Sequence, residues 1–123
     1  MSNDTLIVNV NPKIETMHIS GIGMSTTRTK SGAWYTYATA TVTVVDSNGS
    51  PVSGAEVRGT WSRLTSDIDS GLTSAVGKVA LSSNKVKNAN GTFTFTITNI
   101  IKTGWQYNPG ENVEISDSIT VSK

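Results

Sequence analysis

Apolar and polar residues alternate with a period of two along most of the chain, and a helical period is almost absent. The strongest run is Ala33–Val45. Its even positions hold Ala38, Ala40, Val42 and Val44, and its odd positions hold Tyr35, Tyr37, Thr39, Thr41 and Thr43. The even face is assigned to a core and the threonine face to water, which implies antiparallel pairing, because parallel sheets are buried on both faces. Thr92–Thr98 alternates most cleanly, with Phe93, Phe95 and Ile97 on one side and threonines on the other. Burying those three side chains contributes about 1.5–3 kcal/mol each, enough to fix the register against a one-residue slip.

Weaker runs complete the pattern. Leu6, Val8 and Val10 form a strand-like segment that ends at Pro12. Residues 13–20 form a short strand that admits two registers, Glu15, Met17 and Ile19 inward or Ile14, Thr16 and His18 inward. Gly21 and Gly23 then break or bulge it. Asn48 and Gly49 supply the positive φ of a hairpin turn, and Ala55, Val57, Gly59 and Trp61 share the inward face of the return segment. Residues 63–77 read as a loop with one edge strand, and Val79 and Leu81 as the inward pair of a short strand. Residues 102–110 read as a loop carrying Trp105 and Tyr107. Val113, Ile115, Ile119 and Val121 predict one bent strand or two pieces, with a bulge near 116–118 because Asp117 falls on the inward register. Seven to nine short strands with turns every ~8–12 residues predict an antiparallel, all-β sandwich. The expected organisation is an extension over 1–13 and one domain over 14–123.

Composition agrees with sheet. Of 123 residues, 18 are Thr and 16 Ser, and only 15% are charged, below the roughly 25% of an average domain. The absence of Cys excludes a disulfide framework and a thiolate nucleophile, and a single His excludes a multi-histidine metal site. A net charge of +1, with Arg28, Lys30, Lys85, Lys87 and Lys102 read as scattered among acids, argues against nucleic acid. No apolar run approaches the ~20 residues of a membrane-spanning helix. The first ten residues lack the basic and apolar regions of a signal peptide. Either a piece of a larger exported chain or a small intracellular or virion protein fits that beginning.

The run Val42–Ser62 reads V-x-V-x-D-x-x-G-x-P-V-x-G-A-x-V over its first sixteen positions. It resembles the signature of bacterial immunoglobulin-like modules, with Gly91–Asn99 similar to their penultimate strand and Thr103–Tyr107 to the loop after it. The resemblance spans roughly residues 14–121. Ala75 and Val76 depart from it, since many relatives place Asp or Asn before the glycine corresponding to Gly77. It implies an immunoglobulin-like fold and a secreted or extracellular accessory module beside a catalytic domain, serving as spacer, stabiliser or adhesion platform.

Candidate chemistry is sparse. His18 is the only conventional base, and no serine sits in a G-x-S-x-G elbow, so the chain reads as no enzyme. Asp67 and Asp69 offer hard oxygen ligands for a Ca²⁺ ion but lack the spacing of a calcium loop. Otherwise no cofactor is expected. Trp34, Tyr35, Tyr37, Trp105 and Tyr107 are the candidates for stacking on sugar rings, with Asn, Gln and Thr nearby for hydroxyls. Alternatively, Trp105 plugs one end of the sandwich and the tyrosines cover its outer sheet. Two further functions therefore stand beside the accessory module: a carbohydrate-binding module, and a self-assembling surface, filament or virion subunit joined by strand addition.

Overall fold

The structure, a computed structural model, describes residues 14–122; the expected 1–13 extension lies outside them. It is all-β, in two sheets. The strands are β1 (Glu15–Ser31), β2 (Ala33–Asp46), β3 (Glu56–Arg63), β4 (Asp67–Leu72), β5 (Lys78–Ser82), β6 (Val86–Lys87), β7 (Gly91–Ile101), β8 (Trp105–Tyr107) and β9 (Ser116–Val121). One sheet runs β5-β2-β1-β8, with β6 also on β2, and the other runs β4-β3-β7-β9. All pairs are antiparallel except β1 with β8, where Glu15, Thr16 and Met17 lie parallel to Trp105, Gln106 and Tyr107. The all-antiparallel expectation, and the reading of 105–107 as loop, are corrected there. A three-residue strand gives too little periodicity to be read from sequence.

The core fills the space between the sheets. Ala38, Ala40, Val42 and Val44 of β2 are fully buried, facing Val57 and Trp61 of β3 and Phe93, Phe95 and Ile97 of β7. Trp61 meets Phe95 at 4.9 Å and Phe93 edge-on at 6.4 Å, arrangements worth about 0.5–1.5 kcal/mol beyond area burial.

β1 is longer than its sequence suggests. Met17 and Ile19 face inward with odd parity, and Glu15 is exposed. The register then shifts between Ile19 and Gly21, so Ser20 is an extra residue and the inward set becomes Ile22, Met24 and Thr26. The glycines mark a bulge and not an end. The donors freed there are satisfied from the segment after β8, since Ile19 N–H donates to Asn112 Oδ1 (2.7 Å) and Ile22 N–H to Glu114 Oε2 (2.9 Å).

Between β2 and β3 the turn forms as its residues dictate. Asp46 Oδ1 accepts from the N–H groups of Asn48 and Ser50, and Gly49 has φ +84°. It is not a hairpin between two core strands of one sheet, however. After the single bridge Val45–Pro51 the chain crosses to the other sheet, and Thr73 holds the crossing by bonding both Val52 O and Ala55 N–H.

Two apolar assignments are corrected. Val113 (73% exposed) and Ile115 point outward, because Val113 N–H donates to Ile19 O and Ile115 O accepts from Ile97 N–H, tying that segment between the two sheets. β9 itself pairs with β7 without a bulge, and Asp117 simply sits opposite Phe95 on the edge strand. β4, at the other edge, turns Asp67 and Asp69 toward the inner side and leaves Ile68 83% exposed. Inward-pointing charge is one way in which edges resist uncontrolled pairing.

Candidate functional site

The candidate aromatics fall into separate groups. Trp105 lies opposite Glu15 at one end of β1, with the Lys102 ammonium 5.2 Å from its ring centre, and Tyr107 lies opposite Met17. Both pack against the core, and the Tyr107 hydroxyl accepts a 2.6 Å bond from Asn112 Nδ2. Trp34 lies opposite Lys30, at the other end of β1. Along a strand rising ~3.3 Å per residue, the run from Glu15 to Lys30 is about 45–50 Å. Trp34 and Trp105 therefore cannot contribute to one stacking platform. Tyr35 and Tyr37 share the Trp34 end but occupy the outer face of β2. There Tyr37 lines a shallow groove with Thr29, Ser82, Ser83 and Lys85, and Tyr35 lies beside Lys87.

Asp67 and Asp69 sit opposite Trp61 and Gly59. Asp67 Oδ1, Trp61 Nε1 and Thr65 Oγ1 are buried without a hydrogen-bond partner, while Asp69 Oδ1 accepts from Ser70 N–H. A Ca²⁺ ion takes six to eight oxygen ligands, and an indole N–H is a donor that cannot serve as one. Among the described residues no group of three or more His, Cys, Asp or Glu gathers around one point. His18 is partly buried, its Nδ1 3.6 Å from Glu111 Oε1.

The arrangement with most chemistry is one that sequence spacing left dispersed. Gly32, at φ +78°, closes the β1–β2 hairpin so tightly that Ser31 pairs with Ala33 and Lys30 with Trp34. Arg28 then lies diagonal to Trp34 on the same inward register. Its guanidinium carbon stands 4.4 Å from the centre of the Trp34 ring, and Lys30 Nζ stands 5.6 Å away. Such contacts contribute about 0.5–1 kcal/mol when exposed, and Trp34 is 43% exposed. The only ion pairs among the described residues are His18–Glu111 and Arg58–Glu56, so neither hairpin cation faces a carboxylate within 4 Å. Residues 24–31 show no hydrophobic alternation that marks them as strand, and the turn at Gly32 fixes every facing pair of the hairpin.

Beneath these side chains is a cavity of about 230 Å³ reaching Ala89 and Val121. Compared with known proteins, the chain matches no family model, no curated protein and no solved structure.

Proposed function

We propose that the chain is a non-catalytic, immunoglobulin-like accessory module of a secreted or cell-surface microbial protein, acting as an in-line spacer and stabilising platform. Support for the immunoglobulin-like part comes from the strand order: β5-β2-β1-β8 stacks on β4-β3-β7-β9, and the chain changes sheet after β2, β4, β6, β7 and β8. Greek-key crossings of that kind build immunoglobulin-like sandwiches.

The observation that supports the spacer role is the position of Glu15 and Val121 at opposite ends of the sandwich. β1 begins beside β8, at the end of the sandwich that also holds the close of β2 and the start of β3. β9 finishes opposite Gly91, at the far end. A force or a neighbouring domain on either side is thus transmitted along the long axis, through a core with few options for rearrangement.

The chain has no cysteine of its own, so Ile14→Cys and Ser122→Cys together accept a donor–acceptor dye pair cleanly. Strands of this length and a ~10 Å separation of sheets place the two sites about 35–40 Å apart. One narrow distance near that value, unchanged when folded domains are fused on both sides, is the expected result. A broad distribution, or sites within about 20 Å, overturns the spacer reading.

A further inference from the structure

The end of the β1–β2 hairpin overhangs the sandwich. Arg28, Lys30, Trp34 and Thr36 continue the inward register of Ile22 and Ala38. On the other sheet β7 starts only at Gly91 and β9 stops at Val121, so among the described residues no strand pairs over Arg28, Lys30 and Trp34, while Thr36 just below them is buried. The space left between hairpin and sheet is the 230 Å³ cavity. Its wall is apolar at Trp34, Ala89 and Val121, and its polar residues are Thr26, Thr36, Asn88, Ser122 and Arg28. Thr36 is 5% exposed, which makes its hydroxyl a fixed part of the lining. Arg63 stands at the same end of the molecule, opposite Phe93, while Lys85 and Lys87 lie on the outer face of the sheet.

From this geometry we infer a binding site for a single carboxylate-bearing sugar unit of an anionic polysaccharide. The Arg28 guanidinium carbon lies 4.4 Å from the centre of the Trp34 ring, and a guanidinium offers its N–H groups as a planar fork suited to a carboxylate. Lys30 adds a second, mobile positive charge. The apolar face of a sugar ring fits the Ala89 and Val121 wall, and its hydroxyls meet Thr26, Thr36 and Asn88. The cavity is smaller than the roughly 300–1,000 Å³ that holds drug-sized ligands, so one ring is enclosed and the rest of the polymer lies outside. A neutral sugar leaves the two cations unanswered. A bare inorganic anion leaves the apolar wall unused. The site is independent of the spacer role: a rigid module with no sugar affinity fails this inference alone.

The test is an amide-resolved NMR titration of the ¹⁵N-labelled chain with trigalacturonate, maltotriose and sodium acetate at low salt. Trigalacturonate is expected to shift resonances at 26–36, 88–89 and 121–122, with Arg28→Gln weakening its binding at least tenfold and Arg28→Lys recovering only part of it. Raising the salt weakens binding further. Equal binding of maltotriose, equal saturation by acetate at the same residues, no shift at all, or an unaffected Arg28→Gln variant each overturns the inference.

Discussion

Gly59 is the position at which local propensity and packing make opposite predictions, and substituting it separates them. Glycine inside a strand costs about 0.5–1 kcal/mol relative to alanine, so propensity alone makes Gly59→Ala stabilising. The surroundings say otherwise. A Cβ on Gly59 stands 2.3 Å from Phe95 Cζ, 2.7 Å from its Cε1 and 2.8 Å from the Thr96 carbonyl oxygen. Neither neighbour has room to yield: Phe95 is fully buried against Trp61, and Thr96 is paired across the ladder to Thr60. Forcing a methyl into such a site costs typically 1–3 kcal/mol, and overlap with both a ring and a backbone oxygen puts this case at the upper end. After the propensity gain, the net is a loss of about 2 kcal/mol. With an unfolding entropy of about 2.1 cal/mol/K per residue over a chain of 123 residues, that lowers the melting temperature by about 8 °C. Urea unfolding followed by tryptophan fluorescence gives the free energy directly, with an unchanged m-value showing that the unfolded state is not involved. A G59A/F95L double variant should lose less than the two single losses combined, since a smaller side chain at 95 relieves the overlap. A Gly59→Ala protein as stable as the parent, or more so, refutes the packing argument.

The sheet crossing and the β1 bulge give two further expectations. Thr73→Val removes the hydroxyl that bonds Val52 O at 2.6 Å and Ala55 N–H at 2.9 Å, stranding two buried backbone groups at a cost of about 2–3 kcal/mol in urea melts. Thr73→Ser, which keeps both bonds, should lose only about 1 kcal/mol, the burial of one methyl. Glu114→Ala uncaps Ile22 N–H at the bulge and should cost about 1 kcal/mol and accelerate exchange of that amide. Glu114→Gln, which retains an acceptor oxygen, should leave that exchange slow.

Which parts of the fold were legible follows from where the information resides. In β2 and β7 one face is aliphatic or aromatic and the other threonine, so the register is written in the residues themselves, and the buried Ala38–Val44 and Phe93–Ile97 sets follow directly. β1 carries no such contrast past Ile22. Its Ser, Thr, Arg and Lys positions are held as strand by pairing with β2 through the tight turn at Gly32, a non-local cause. β8 is three residues long and exists only because Met17 brings a strand edge to it. Val113 and Ile115 continue an alternating pattern but are bound by their backbone to two different sheets, which turns their side chains outward. Hydrophobic alternation reports burial only where a partner sheet is present to bury it.

The same rule explains the candidate site. Trp34 has the parity of Ala38, so its face is readable, but its exposure depends on β7 starting at Gly91 and β9 stopping at Val121, which lie across the cavity in space and far apart in sequence. The hairpin outgrows the sheet that should cover it, and the inward positions beyond that limit are the ones that change from Ala and Val to Arg, Lys, Thr and Trp. A hairpin needed only for the core could end near Ala38. Beyond the buried Thr36 the added length of strand carries Arg28, Lys30 and Trp34, and the sequence keeps this inward face cationic and aromatic where a lysine–threonine surface would be soluble enough. That change of chemistry at the boundary of the core is the structural reason for proposing a ligand site at the tip, apart from the spacing role proposed for the body.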